Sequence, residues 1–165
     1  MKSIFKLFVA AFLTVAPLTA TAQSNVAHIN VQQLISEMPE VIAAQNELAK
    51  LEKDYTTQID NAFKEFQTKA QSYSSDATNQ TDITNQARQN ELESMQTNLQ
   101  EFRDSAAQEL QKKQMDLMTP LLEKARNAIT KVGEEQGFNY VIDSSPNGGI
   151  ILANGKDLLA DVKKE

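Results

Sequence analysis

The chain contains no cysteine and no tryptophan, and it has one histidine, four prolines and five glycines among 165 residues. Without cysteine there can be no disulfide, no thiol catalysis and no thiolate metal site. A small exported domain that lacks disulfides must be stabilised in another way, and oligomerisation is one such way. The single histidine, His28, is interpreted as structural, because a catalytic or metal-binding histidine needs partners that converge on it.

The motifs of common enzymes are also missing. No serine lies in a nucleophile-elbow pattern, and Gly148, Gly149 and Gly155 follow strand-like segments instead of opening a phosphate-binding helix. The sequence therefore predicts neither an enzyme nor a cofactor or metal site. Basic residues are outnumbered, with 16 Lys and Arg against 22 Asp and Glu. Such an acidic chain is a poor candidate for binding nucleic acid.

The first 22 residues have the features of a secretory signal peptide. Lys2 and Lys6 flank the start of an apolar run at positions 7–15, and the small residues Ala20-Thr21-Ala22 follow. A basic end, an apolar centre and an A-x-A end predict export with cleavage after Ala22. An uncleaved membrane anchor is the alternative, but the run is short for a membrane span. The mature chain is expected to begin at Gln23 without a transmembrane anchor.

Residues 41–136 contain one proline and one glycine and carry apolar residues three or four positions apart. This spacing puts an apolar side chain on the same side of a helix at every turn. Because the polar residues 72–84 divide the stretch, the sequence predicts an antiparallel hairpin of two long helices with its tip there. Pro39 is expected to begin the first helix, and Pro120 to kink or break the second near Thr119.

The end of the second helix has two further features. Its apolar stripe broadens, which predicts burial against more than one partner. The added residues are Met115, Met118, Leu122 and Ile129. Gly137 is expected to end the helix as a left-handed cap, with Phe138 placed for the hydrophobic contact that accompanies such a cap.

Both ends of the mature chain carry strand-like segments. The predicted strands are Val26–Asn30, Tyr140–Asp143 and Ile150–Ala153, and the last two are expected to form a hairpin. A short final helix is predicted at 158–164, with Asp157 as its cap. Residues 23–40 and 137–165 together make a small β-body. The fold class is therefore α+β and mostly α, with a long helical arm projecting from this body.

Three short strands cannot bury a core on their own, and their edges would remain unpaired. The strands are nevertheless apolar on both faces, as interior strands are. The simplest solution is association of several copies into one closed body, although strand number does not fix the number of copies. The residues expected in this oligomerisation interface are Val26, Ile29, Val141, Ile142, Ile150 and Ile151.

Three segments resemble one family, the Skp/OmpH-like periplasmic chaperones. They are the strand Val26-Ala-His-Ile-Asn30, the entry Leu34-Ile-Ser-Glu-Met-Pro-Glu40, and the block at 117–143. The block contains a proline within the second helix and the strand entry Gly137-Phe-Asn-Tyr-Val-Ile-Asp143, both typical of this family. The resemblance covers essentially the whole mature chain.

The resemblance implies a homotrimer in which each subunit lends strands to a central β-body and three arms enclose a cavity. It implies an ATP-independent periplasmic holdase that binds unfolded outer-membrane β-barrel proteins there and prevents their aggregation. Well-known members are basic, whereas residues 72–86 contain no Lys or Arg. A lipopolysaccharide site is therefore not carried over to this chain.

Aromatic and methionine residues of the arm are the candidates for contact with such a client. They are Phe63, Phe66, Tyr73, Met95 and Phe102. Phe66 and Phe102 lie on the apolar stripe, where packing between the helices is the simpler interpretation. Phe63 lies one position off the stripe, and Tyr73 lies at the tip. The second hypothesis is a structural coiled-coil spacer or adaptor of the cell envelope that docks a folded partner.

Overall fold

The computed structural model describes residues 25–146 and 148–165, so the predicted signal peptide lies outside the described residues. The mostly helical α+β class with a long arm is confirmed. The elements are β1 (Val26–Ile29), α1 (Val31–Glu37), α2 (Pro39–Asp76), a 3₁₀ turn (Ala77–Asn79), α3 (Asp82–Glu135), β2 (Tyr140–Asp143), β3 (Lys156–Asp157) and α4 (Leu159–Val162).

The arm consists of α2 and α3, which pack against each other as an antiparallel hairpin. Pro39 occupies the first turn of α2, where its missing N–H is tolerated. The 38 residues of α2 make this helix about 57 Å long. At the start of α3, the Thr81 hydroxyl accepts a hydrogen bond from the Thr84 amide at 3.2 Å and caps the helix.

The tip is shorter than the polar composition of residues 72–84 predicts. Helix α2 continues through the serines to Asp76, and five residues, 77–81, separate the two helices. The Ser75 hydroxyl donates to the carbonyl of Gln71 at 2.8 Å, one turn earlier, so its hydrogen bond is made within the helix instead of competing with it. Tyr73 is fixed by a contact with α3, described below. Contacts within the helix and with the opposite helix thus outweigh the weak helix propensity of these residues.

The second helix also differs from its prediction at Pro120. Helix α3 runs from Asp82 to Glu135 with Pro120 inside it, so the expected break near Thr119 is wrong, while the alternative of a kink there stays a prediction. A proline removes only one intrahelical hydrogen bond, and the flanking turns of a long packed helix retain theirs. The expected cap is confirmed: Gly137 has φ 72°, and the Phe138 amide donates to the Gly133 carbonyl at 2.9 Å.

The sheet has the order β2-β1-β3, and both outer strands run parallel to β1. The predicted hairpin of two C-terminal strands is therefore wrong. Residues 150–153 are not a strand, and the third strand is the two-residue β3. Gly155 permits the chain to meet β1 there, since a Cβ at this position would stand 2.7 Å from the Val26 carbonyl oxygen.

The apolar segment at 150–152 is exposed in the single chain, and Ile151 is fully exposed. Its β-branched composition is what predicted a strand, but composition does not supply a sheet edge to pair with. Within the described residues, β1 is paired on both sides, because β2 and β3 occupy its two edges.

The core of the β-body lies between the sheet, the base of α3 and the short helices α1 and α4. Its buried residues are Ala27, Ile29, Leu34, Ala125, Val132, Leu158 and Val162. Burial alternates along β1, so that Ala27 and Ile29 face this core. Asn30 then caps α1 by accepting from the Gln33 amide at 2.9 Å. The body thus anchors one end of each arm helix.

Candidate functional site

The middle of the arm contains an aromatic pair that joins its two helices. The rings of Tyr55 on α2 and Phe102 on α3 meet edge to face, with their centroids 6.0 Å apart. The Glu109 carboxylate near the Tyr55 hydroxyl raises the pKa of this phenol. Both rings are half-buried. Phe102 therefore packs in the helix seam, as its position on the stripe indicated.

Phe63 and Phe66 form a second aromatic pair, which lies at the surface of the arm. Their rings stack on the same helix at a centroid distance of 6.5 Å and an interplanar angle of 21°. Phe63 is 41% exposed, in agreement with its position off the stripe, whereas Phe66 is half-buried. Together with Leu99, the two rings line a groove of about 460 Å³ that is otherwise polar. We call this surface the arm groove.

The other two candidates of the arm are less accessible. Met95 is half-buried on α3. Tyr73 donates its hydroxyl to the Glu91 carboxylate at 2.5 Å, and the Arg88 guanidinium lies 4.7 Å from its ring centroid. The Glu91 bond and burial raise the pKa of Tyr73. The polar and aromatic parts of Tyr73 are thus already engaged within the arm.

Four further apolar residues of the arm are exposed, and the sequence prediction did not select them as site residues. They are Ile42, Ile83, Met115 and Leu122. The broadened stripe predicted burial for Met115 and Leu122, but they are 56% and 46% exposed. Of that stripe, Ile129 does pack against the core of the body. Met118 is half-buried, whereas Met115 and Leu122 stay exposed in the single chain because a hairpin covers only the side of α3 that faces α2 or the body.

The residues expected at the oligomerisation interface separate into two groups. Ile29 is 1% exposed in the core of its own chain, and Val141 packs against the same core. Val26 is half-buried, while Ile142, Ile150 and Ile151 are exposed. Two neighbours share this exposure and were missed, namely Tyr140 and Leu152.

Tyr140 and Ile142 lie on one face of the sheet. The strand register pairs Val26 with Tyr140 and His28 with Ile142, so the four side chains share the face directed away from the core. His28 Nδ1 lies 3.1 Å from the Ser144 hydroxyl. Among residues 25–146 and 148–165, no group of three His, Asp or Glu side chains is arranged to hold a metal ion. Across β1 and β2 this face is apolar or aromatic apart from one histidine, and the register of β3 places Asp157 beside His28.

Comparison with known proteins assigns the chain to a family. Residues 25–165 match the family described as outer membrane protein (OmpH-like). The chain belongs to this OmpH-like family. It is 25% identical over 158 residues to the chaperone protein Skp of Yersinia enterocolitica, and the alignment covers 93% of this chain and 92% of that protein. The predicted family is thereby confirmed, and it is a chaperone family, not an enzyme family.

The fold of this OmpH-like chain is similar to that of a crystal structure described as an OmpH-like outer membrane chaperone from Caulobacter crescentus. The TM-score is 0.75, and the superposition covers 86% of this chain and 82% of that chain. At 12% identity the likeness concerns the fold alone. In the part of the OmpH-like chain that the structure describes, no helix is both long and apolar enough to span a membrane.

Proposed function

We propose that this protein is an ATP-independent periplasmic holdase that binds unfolded outer-membrane proteins between helical arms and prevents their aggregation. Membership of the OmpH-like family and the relation to a Skp chaperone support this function. The signal-peptide pattern of residues 1–22 supports export, with cleavage after Ala22. The sequence contains no nucleotide-binding motif, so release of a client is passive or driven by folding of the client.

The observation that carries this proposal is the exposure of apolar side chains along a folded arm. Phe63 is 41% and Met115 56% exposed, although both lie on regular helices. A holdase needs weak contacts at many places, because a client held in one tight pocket would dissociate slowly. Adaptable side chains such as Met also suit partners of varied sequence. The shallow arm groove beside Phe63 fits this requirement.

A cavity between arms requires several copies, and we propose a homotrimer. The exposed residues Ile142, Ile150 and Ile151 support an interface on the β-body, because exposed apolar patches of this kind mark association sites. Ile29 and Val141 are already packed within their own subunit. We therefore propose the interface from Val26, these three isoleucines and their neighbours, and assign Ile29 and Val141 to the core that supports it.

The first experiment measures aggregation of a denatured outer-membrane β-barrel protein after dilution, by light scattering and without ATP. About one trimer per client is expected to suppress the aggregation. We expect Phe63→Ser to need about two- to five-fold more protein for equal protection, because one exposed aromatic contact of many is lost. Asn61→Ser changes an exposed polar side chain two residues away on the same helix, outside the arm groove, and serves as the control with unchanged protection.

Circular dichroism should confirm that both variants keep their helices. Equal loss of protection in the two variants would remove the arm groove from the proposal. The interface is tested by Ile142→Asp and Ile151→Asp, which should yield monomers by light scattering at micromolar concentration, because each buries a charge in the interface. A variant carrying both substitutions that still assembled would refute the interface.

The second hypothesis, a coiled-coil adaptor of the cell envelope, is favoured by the length of the arm, about 57 Å for α2 alone. It predicts no protection of a denatured client. It predicts instead that the arm captures one folded partner, so the aggregation experiment separates the two functions.

A further inference from the structure

The distal part of the arm has little apolar burial. Val41 and Ala44 are buried near the base of α2, and Leu99 and Ala106 are buried on α3. Between positions 45 and 98, all of which the structure describes, no residue is buried. Most helical stability in proteins comes from the packing of an apolar face. Apolar packing between these positions is confined to half-buried side chains, so other contacts carry a larger share of the stability of the distal arm.

Five residues near the tip supply such contacts, and we call them the tip clasp. They are Lys69, Tyr73, Asp76, Arg88 and Glu91. The Glu91 carboxylate on α3 accepts from Lys69 Nζ at 2.5 Å and from the Tyr73 hydroxyl at 2.5 Å, one through each oxygen. Since Lys69 and Tyr73 are one turn apart on α2, a single carboxylate fastens two turns of the opposite helix.

The clasp continues from Tyr73 to the turn itself. The Arg88 guanidinium lies over the Tyr73 ring, and its Nη2 donates to Asp76 Oδ2 at 3.1 Å. The Asp76 carboxylate also accepts from Asn79 Nδ2 at 3.2 Å and from Gln80 Nε2 at 2.6 Å. One connected set of polar contacts therefore joins α2, the 3₁₀ turn and α3.

We propose that residues 69–91 open and close as a separate unit, that the tip clasp sets this equilibrium, and that ionic strength shifts it. The side chains of Lys69 and Glu91 are 36% and 41% exposed, and those of Arg88 and Asp76 are 22% and 40% exposed. Ion pairs this accessible are screened by salt, whereas apolar packing at the base is not. High salt therefore loosens the tip while the base stays closed.

Near neutral pH, the opening of the tip should respond to salt and not to pH, because the charged groups of the clasp keep their ionisation there. Glu91 faces Lys69 and Tyr73 on α2 and has Arg88 beside it on α3, and Glu65 lies 3.9 Å from Lys69. The Lys69 and Tyr73 hydrogen bonds lower the pKa of Glu91, and the Arg88 and Asn79 hydrogen bonds lower that of Asp76. Both carboxylates thus stay ionised until the solution is distinctly acidic.

The test is amide hydrogen exchange on the full mature protein without any client, so it is independent of the proposed holdase activity. We expect Glu91→Gln to raise exchange of the amides at 72–88 about three- to ten-fold, with the amides at 99–110 unchanged. The control is Glu93→Gln, which removes the same charge from an exposed position two residues away on α3. It should leave the tip unchanged.

Salt and a neutral variant complete the test. Raising NaCl from 0.05 to 1 M should increase exchange at the tip of the wild-type protein and have a smaller effect on Glu91→Gln, which lacks the Lys69–Glu91 ion pair but keeps the Arg88–Asp76 pair. Tyr73→Phe removes one hydrogen bond without a change in charge, and it should give a smaller rise confined to the same amides. The proposal is overturned if Glu91→Gln and Glu93→Gln behave alike, or if salt raises exchange equally at tip and base.

Discussion

Gly133 lies where the last turn of α3 crosses β2, and substituting it tests how the arm is joined to the body. Gly133 is buried, and a Cβ added to it would stand 2.9 Å from Val141 Cγ2. The clash cannot be relieved cheaply, because Val141 is β-branched and therefore stiff, and it belongs to a strand. The prediction concerns Gly133→Ala.

Two effects of opposite sign determine the result. Alanine in place of glycine within a helix should stabilise by about 1 kcal/mol through helix propensity alone. Overpacking of a filled site costs about 1–3 kcal/mol. We therefore expect Gly133→Ala to lower the free energy of unfolding by about 1 kcal/mol, although the same change at an exposed helical position would raise it.

The assay is urea unfolding followed by circular dichroism, at one fixed protein concentration because the proposed association makes stability depend on concentration. The control places Gly133→Ala in a Val141→Ala background, where the clashing methyl groups are absent. There the substitution should be neutral or stabilising, and the coupling between the two sites should be about 1–2 kcal/mol. If Gly133→Ala stabilises the otherwise wild-type protein, the close approach of α3 and β2 is refuted.

Three further predictions concern the core, a helix cap and the response to acid. Ile29→Ala should destabilise by about 2–5 kcal/mol in urea unfolding, because Ile29 is 1% exposed, whereas Ile83→Ala, at 84% exposure, should change stability by less than about 0.5 kcal/mol. Asn30→Ala should cost about 1 kcal/mol in the same assay through loss of the α1 cap, and Asn30→Asp should retain most of the stability. The folded protein lowers the pKa of Glu91 below its ordinary 4.5 and that of Asp76 below its ordinary 3.8. Each ionised carboxylate therefore stabilises the fold at a pH above its ordinary pKa, and this stabilisation is lost as the pH falls through its lowered pKa in the folded protein. The midpoint temperature of thermal unfolding should thus change little between pH 5 and 8 and fall below about pH 4. The Glu91→Gln variant should show a smaller fall in this temperature.

The helical part of the fold could be predicted from the sequence because its signals are local. Apolar residues at every turn predict both helices of the arm, and Pro39 and Gly137 mark a start and an end through backbone geometry alone. The helical state of residues 72–76 was harder to predict. Helix propensity reflects the tendency of serine to leave a helix, but it does not include the contact of Tyr73 with Glu91. That contact joins residues far apart in sequence.

The sheet was predicted less well because strand pairing is a non-local choice. Residues 140–143 are a strand as expected, but the apolar segment at 150–153 has a strand composition and no sheet edge in the single chain. The two residues that do pair, Lys156 and Asp157, are charged and carry no strand signal. Their pairing follows from the close approach of Gly155 to β1.

For the candidate site, helix periodicity predicts which side of each arm helix is covered by the other helix, and it predicts no more than that. Phe63, one position off the stripe, is exposed as its position indicated. Met115 and Leu122 were expected to be covered, because periodicity shows that a stripe is wide but not whether a second partner is present. The tip clasp could not be seen at all, since its charges look like ordinary solvated residues until both helices are aligned.

The most direct test of the account is the mass of the protein with and without an unfolded client. Light scattering coupled to gel filtration should return a trimer of the mature chain, residues 23–165, at micromolar concentration. After addition of a denatured outer-membrane β-barrel protein, it should return one soluble species with the mass of one trimer and one client. A monomer that elutes unchanged while the client is lost as aggregate would contradict the proposed holdase.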